Sequence, residues 1–515
     1  MIAEYFNDRD IFLTGGSGIV GKAVIEKLLR SCNVRKIFVL LRPKKNFTIA
    51  QRLDTIMKEK IFRRLVSEKP NEFHDKVVPI PGDVELPLLG IKPEHAQLMA
   101  NVSIVIHSAA TVRFDESLRD AIRLNVGGTL ENLKFSETLK NLEVFMHVST
   151  FFSNPYLEYV EAKVYESAMD WRFCLDLCRR EDITDDMIDV LTRKLIVGFP
   201  NTYCFTKNLA ESMVNYYGQK LPVAIFRPSI VVQAVEEPEP GFPPSLTGAM
   251  AVFVAASVGI MKAIPMPRDQ FLDLSPQDIT VKTLLYYIMK TGTEHATNES
   301  ADVPVFNLSV YGHSPINFPE YIEMADEFWN SIPVEKGFLA PGVTVTENIY
   351  RYMFVVIFKQ ILPAFFLDLL LKISGQKPVM MKIQRKIFNA LKIMRPFVAN
   401  NYRSSGVSYA KDMIKELNGT DFNVDVFVIM KSTYAHIGYT RDMICKCREI
   451  LLKEDPSTIP RSRLIVKGKI LLYRAFQIFV AYKIYCRWIY PMTKEWHLDL
   501  DWNVNNSTTI NESFL

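Results

Sequence analysis

A chain of 515 residues, 48% of them hydrophobic, is long enough to bury a large core and to divide into roughly two or three domains, which excludes a disordered class. Its 61 basic and 57 acidic residues leave a net charge of +4, too balanced for a nucleic-acid footprint. Seven cysteines in no framework spacing point to a reducing compartment, and Cys445-Lys446-Cys447 is too tight and isolated to hold a metal, so no metal site is expected.

The N-terminal MIAEYFNDRDIFLTGG has no basic region followed by a long apolar run, so no signal peptide is expected and the catalytic region is read as cytosolic. From residue 11 to 150 short apolar strands alternate with amphipathic helices, as a parallel sheet covered on both faces requires. The expected strands are 11–14, 36–42, 76–80, 102–107 and 144–149, with helices near 19–31, 48–65 and 116–140. Residues 151–200 form a long excursion, read as a substrate lid or helical insert. A helix beginning at YCFTK and a strand VAIFRPSIV follow between 202 and 233. PSLTGAMAVFVAASVGIM (244–261) reads as a helix packed near the active site, and PVFNLSV (304–310) as a strand closing a smaller substrate lobe.

Beyond 320 the pattern turns mainly helical. The apolar run 353–373 carries Lys359, Pro363, Asp368 and Lys372, and reads as a buried or interfacial helix pair rather than a bilayer span. Residues 470–490 are long enough to span but contain Arg474, Lys483 and Arg487, so membrane attachment there is divided between spanning and lying in the interface. The nearby Arg461, Arg463, Lys467 and Lys469 are juxtamembrane or a solvated face. The tail carries the N-linked glycosylation pattern at Asn505, Asn506 and Asn511. The expected units are a reductase domain with its substrate lobe (8–335), a helical C-terminal domain (336–465), and a hydrophobic membrane-associated segment with a polar tail (466–515).

After the first strand comes TGGSGIVGK. Thr14, Gly15, Gly16, Ser17, Gly18, Ile19, Val20 and Gly21 build a turn in which glycines let the backbone approach a pyrophosphate and let the following helix pack on the sheet. The helix N-terminus then faces the negative charge. The second strand ends in LLRPKK, with Arg42 and Lys44 where an NAD site has an acidic residue, so NADPH is favoured over NADH. Asp83 follows the third strand, where it can accept from an adenine amino group or serve as a plain turn residue. Ala109 and Ala110 of HSAAT leave room for the ribose and nicotinamide rings.

Hydride delivery to a carbonyl needs a proton source and donors aimed at the oxygen. Tyr203 and Lys207 lie four apart on one helix face, where the lysine is expected to lower the tyrosine pKa. Thr150 at the end of the fifth strand donates to the same oxygen, while Ser149 faces away because side chains alternate. Asn125 is expected to hold Lys207 through a water or a backbone carbonyl. His107 and His147 read as satisfied core histidines, and Tyr216 and Tyr217 as packing residues.

Taken together, TGGSGIVGK, HSAATVRFDESLRDAIRLNVGGT, LEVFMHVST, NTYCFTKNLAE and FRPSIV resemble the alcohol-forming fatty acyl-CoA reductases, a branch of the extended short-chain dehydrogenase/reductases. The likeness spans nearly all of residues 8–460, with 375–387 and 450–463 similar to the family's smaller C-terminal domain. The resemblance implies a Rossmann-type α/β fold and NADPH-dependent reduction of long-chain acyl-CoA, through an aldehyde, to a primary alcohol. It places Thr150, Tyr203 and Lys207 at the catalytic positions and Gly15, Gly18 and Gly21 at the pyrophosphate turn. It also implies a protein of the peroxisomal membrane, or alternatively of the endoplasmic reticulum, with the catalytic part facing the cytosol and a hydrophobic C-terminal anchor. The chain departs from the family at Phe151 and Phe152, at Phe242 to Ser245, and at Pro276, Gln277 and Asp278. Two other readings stay open: an aldehyde-forming or lipid-carbonyl reductase, and a membrane-associated lipid-binding protein with weak or no catalysis.

Overall fold

A computed structural model describes residues 1–44, 46–167, 169–294, 302–310, 317–398, 400–404, 407–424 and 433–491. The tail asparagines Asn505, Asn506 and Asn511 lie outside the described residues.

Strands β1 (Asp10–Thr14), β2 (Lys36–Leu41), β3 (Val77–Pro81), β4 (Val102–His107), β5 (Val144–Val148), β6 (Val223–Pro228) and β7 (Val305–Leu308) form one sheet. Their order is β7-β6-β5-β4-β1-β2-β3, with every pair parallel. β1, β4 and β5 are buried along their whole length, which is why they read as continuous apolar runs rather than alternating ones. On one face they meet α1 (Ile19–Ser31) through Val24, Ile25 and Leu28. On the other they meet α2 (118–136) through Ile122, Val126 and Leu130, and α3 (Thr202–Tyr217) through Leu209 and Met213. β5 divides by alternation: Val144, Met146 and Val148 enter the first core and Phe145 the second. The sheet order reverses between β1 and β4, and the loops after their C-terminal ends are where such sheets bind ligands.

Two expectations are corrected. PVFNLSV does not close a separate lobe: Val305 pairs with Ile225 and β7 is the edge of the main sheet. VAIFRPSIV is broken at Ser229, after which Ile230–Val232 leaves the sheet to pair with Leu274–Pro276. The apolar stretch 244–261 forms α4 (Gly248–Ser257), buried as expected. It packs with α6 (Phe318–Ser331) in a core separate from the one that holds Tyr203. Between these two, α5 (Gln277–Glu294) lies on the α1 side of the sheet. The 151–200 excursion carries two helices, Trp171–Arg179 and Asp185–Leu195, held by Arg119, whose guanidinium donates to the Cys178 carbonyl at 2.6 Å and to the Ile183 carbonyl.

The later chain returns to the sheet domain repeatedly. Thr344–Thr346 pairs with Ala263–Pro265, Arg403–Ser404 pairs with Tyr159–Val160, and Met413, Leu417, Phe422 and Val424 enter the first core. Helices α7 (Ile349–Ile373) and α8 (Met380–Val398) form an antiparallel hairpin, and α9 (Ile459–Ile484) follows. Among the described residues α7, rather than α9, has the length and composition to cross a membrane.

Candidate active site

The glycine turn is built so tightly that side chains cannot enter it. Gly15 has φ +75°, and a Cβ there would stand 2.6 Å from the Ser108 carbonyl carbon; a Cβ on Gly21 would stand 2.3 Å from the Gly15 oxygen. The turn therefore closes against the HSAAT loop on one side and the first turn of α1 on the other. α1 is capped by Gly18 with no side-chain hydrogen bond, which leaves the amides of Ile19 and Val20 to an anion. A cavity of about 400 Å³ opens beside the turn, lined by Gly15, Ser17, Gly18, Ser108, Ala109 and Ala110 and, at its far end, by Arg42, Lys44, Arg52 and Asp83. The close backbone approach, bare helix end and small-residue wall fit a bound dinucleotide.

At the far end Arg42 donates from Nε to Asp83 and from Nη2 to Glu85, each at 2.8 Å, and Arg123 holds the other Glu85 oxygen at 2.7 Å. Arg52 donates to the Arg42 carbonyl. Arg123 also pairs with Asp120 at 2.9 Å, while Lys44 and Arg52 line the same end of the cavity. Asp83 lines the cavity, but one of its oxygens is engaged by Arg42 and the other accepts from the Glu85 amide at 3.2 Å.

The HSAAT loop is pinned from behind. Thr14 Oγ1 lies 2.7 Å from His107 Nδ1 and accepts from the Ala109 amide at 3.3 Å. His107 also reaches Thr129 at 3.1 Å and Asn132 at 2.9 Å, and burial drives its pKa down to about 3, so it is a neutral, satisfied core residue. His147 departs from that expectation: it is fully buried and neither ring nitrogen has a partner among the described residues. Asn125 sits in a π-helical turn, Ile122–Gly127, within α2, the irregularity that helices often carry at functional sites. Among the described residues it makes no direct hydrogen bond to Lys207. Its oxygen accepts from the Thr111 amide at 2.8 Å, and its amide donates to the Thr111 carbonyl at 3.2 Å and to Thr206 Oγ1 at 2.9 Å. Asn125 therefore clamps the HSAAT loop to α3.

On α3, Lys207 is buried and donates from Nζ to the Val148 carbonyl at 2.8 Å, two residues before Thr150. Burial lowers its pKa to about 8, against the Glu211 carboxylate, which raises it. Tyr203, one turn earlier, has its pKa raised by burial, opposed by a hydrogen bond with the Thr150 side chain. The lowered phenol pKa expected from the lysine is thus not what this arrangement gives, because Lys207 spends a proton on Val148 and desolvation outweighs the hydrogen bond to Thr150. Ser149 faces the other way, as alternation requires, and donates to Glu211 at 2.5 Å. Glu211 also takes a two-point contact from Arg227, at 2.8 and 2.6 Å, with both side chains buried.

Rings distant in sequence cover Tyr203. Phe114 lies 5.7 Å from Tyr203 and stacks on Phe397 at 5.3 Å; Phe152 meets Phe397 at 5.1 Å and Tyr402 at 5.4 Å. Phe397 is at the end of α8, so the C-terminal region supplies part of the wall around Tyr203.

The profile of a dinucleotide-binding domain described as male sterility protein matches residues 13–284, and a companion profile with the same description matches 359–454. Fatty acyl-CoA reductase wat of Drosophila melanogaster is 32% identical over 479 residues, covering 93% of this chain and 91% of that protein. This chain belongs to the fatty acyl-CoA reductase family. Fatty acyl-CoA reductase 1 of Mus musculus is 33% identical over 90% of this chain and 88% of its own length. As a family member the protein is a reductase whose first domain takes a nicotinamide cofactor. Solved structures share its fold. They include the reductase domain of a nonribosomal peptide synthetase from Mycobacterium tuberculosis (TM-score 0.56, 15% identity, 88% of this chain and 95% of that one). The terminal R domain of the myxalamid pathway is a second (TM-score 0.52, 19% identity, 86% and 91%).

For this reductase, sequence reasoning missed Arg52, Glu85 and Arg123 at the far end of the cavity, the Glu211–Arg227 pair, and the ring cluster. Arg52 had a signal: a basic residue on the helix after the second strand, whose start Thr48 and Gln51 mark as a capping box. Phe397 and Tyr402 had none, since nothing local ties them to Tyr203.

Proposed function

We propose that the protein reduces long-chain fatty acyl-CoA to the primary alcohol through a bound aldehyde, releasing coenzyme A and consuming two NADPH. The observation that carries this reading is the Tyr203–Thr150 hydrogen bond with buried Lys207 one turn on, on a helix that Asn125 ties to the loop lining the dinucleotide cavity, under an apolar ring wall suited to an acyl chain. Bound NADPH supplies hydride to the carbonyl carbon. Tyr203 gives the proton to the carbonyl oxygen and Thr150 holds that oxygen by a hydrogen bond. Lys207, when charged, favours the deprotonated phenol left behind. The first reduction of the thioester gives a hemithioacetal, which loses coenzyme A to leave the aldehyde; the same three groups serve the second.

NADPH rather than NADH is supported by Arg42, Lys44 and Arg52, which line the cavity at the end of β2 where a 2′-phosphate would sit. We place the protein at the peroxisomal membrane with its catalytic domain in the cytosol, with the endoplasmic reticulum as the alternative site. Purified protein incubated with palmitoyl-CoA and NADPH, with products identified by mass spectrometry, tests the reading. Hexadecanol with two NADPH oxidised per coenzyme A released is expected. Aldehyde with one NADPH would make this an aldehyde-forming enzyme, and no product across chain lengths would leave only a lipid-binding role.

A further inference from the structure

Helix α7 leaves large apolar side chains outside. Its buried side carries Gln360, 3% exposed, and Asp368, 9% exposed, among Val355, Val356 and Ala364, while Phe354, Phe358 and Phe365 are 58, 51 and 52% exposed. Leu369, Leu370 and Ile373 extend the outer strip. The orientation is fixed by the polar groups turned inward. Gln360 accepts from the Lys262 amide at 2.8 Å and donates to Gln384 at 2.7 Å, and Gln384 donates to the Ile260 carbonyl at 2.9 Å. Asp368 accepts from the amides of Val379, Met380 and Met381, each at 2.8 Å, at the start of α8. Rotating α7 to hide its rings would leave these buried groups unpaired, and a buried polar group without a partner is costly.

The neighbouring helix α8 presents charge instead. Lys382, Arg385, Lys386, Lys392 and Arg395 are exposed, and no acidic residue occurs between Asp368 and Asp412. Exposed aromatic and aliphatic side chains beside a purely basic run are what an anionic lipid surface receives: rings enter the acyl boundary and cations meet the phosphates. A water-facing role does not account for the strip, because contiguous apolar surface of this kind is rare on monomers. A transmembrane role does not fit either, since Gln360 of α7 accepts from the Lys262 amide, and Gln384 of α8 donates to the Ile260 carbonyl, of the globular part.

We propose that the α7–α8 hairpin is a monotopic membrane-docking surface that seats the protein on an anionic bilayer, independently of the C-terminal segment. α8 then joins that surface to the catalytic tyrosine, for its last turn places Phe397 on Phe114, which touches Tyr203.

The full chain can be tested by flotation with phosphatidylcholine vesicles, with and without phosphatidylserine. Because the altered side chains are exposed, the combined Phe354→Ser, Phe358→Ser, Phe365→Ser variant should fold normally by circular dichroism. It should partition at least about tenfold more weakly than the native chain. The combined Lys382→Glu, Arg385→Glu, Lys386→Glu variant should lose the preference for phosphatidylserine and change little on phosphatidylcholine alone. A Phe358→Trp variant adds fluorescence that acyl-brominated lipids should quench when vesicles bind. Added fluorescence that stays unquenched on bound vesicles would overturn the proposal, because attachment then lies elsewhere in the chain. So would a native chain that is a dimer and that the phenylalanine variant converts to a monomer, because a second copy then covers the strip.

Discussion

Replacing Glu211 with glutamine should damage both the fold and the pH response of catalysis. Glu211 receives Arg227 Nε and Nη2 at 2.8 and 2.6 Å and Ser149 Oγ at 2.5 Å, with both ion-pair side chains buried. Glutamine keeps the shape but removes the charge, leaving the Arg227 guanidinium without its counter-ion, although the Glu161 and Lys163 carbonyls still accept from it. The cost of breaking a buried pair in this way is about 3–5 kcal/mol. Ser149→Ala, which removes one hydrogen bond to a charged group, should cost about 1.5–3 kcal/mol. Urea unfolding followed by circular dichroism should therefore rank the native chain above Ser149→Ala and Ser149→Ala above Glu211→Gln. The pH effect follows from Lys207, whose pKa lies near 8, below the ordinary lysine value, because burial disfavours the charged form and Glu211 only partly restores it. The protonated fraction is full below that pH and falls as pH rises through it, so turnover should fall on the alkaline side near pH 8. Without the Glu211 charge the same fall should move to lower pH. Unchanged urea midpoints together with an unmoved alkaline limb would refute the reasoning.

Gly21→Ala forces a methyl to within 2.3 Å of the Gly15 oxygen, with backbone on both sides, so α1 must back away from the turn; cofactor affinity measured by fluorescence titration should fall at least about tenfold, as loss of one charge-assisted hydrogen bond implies. Arg42→Ala leaves Asp83 and Glu85 less neutralised at the far end of the cavity, and the ratio of kcat/KM with NADPH to that with NADH should fall by about tenfold or more, the worth of a charge-assisted contact. Asn125→Ala cuts the three hydrogen bonds that join the HSAAT loop to α3; kcat should drop more than KM for acyl-CoA rises, whereas a purely structural residue would lower active enzyme without altering the kinetics of what remains.

Much of the sheet was legible because β1, β4 and β5 are covered on both faces, and full burial leaves an unbroken apolar run that local sequence reports directly. The glycine turn was legible for a related reason: its constraint is steric and local, and Gly15 and Gly21 collide with backbone a few residues away or on the adjoining strand loop. Membership of β7 in the main sheet was not legible, since its pairing with β6 joins segments separated by residues 229–304, which hold α4 and α5, and periodicity carries no partner information. The same holds for Asn125, whose residue type suggested a polar clamp but whose partners, Thr111 and Thr206, depend on how the π turn aims it. His147 shows the limit from the other side: a strand histidine reads as a satisfied core residue, and only the packing reveals that both nitrogens are left without partners among the described residues. For 353–373 the sequence announced an apolar helix, but which side would face the protein was decided by Gln360 and Asp368, two polar residues that hydrophobicity alone assigns to the solvent.

The most direct measurement of the central claim compares the native chain with Tyr203→Phe for palmitoyl-CoA reduction and for NADPH binding. Loss of nearly all alcohol formation with cofactor affinity within about twofold is expected, because in the proposed mechanism the phenol hydroxyl donates the proton, while Tyr203 is not among the residues lining the cavity. Full reduction by Tyr203→Phe would contradict the account.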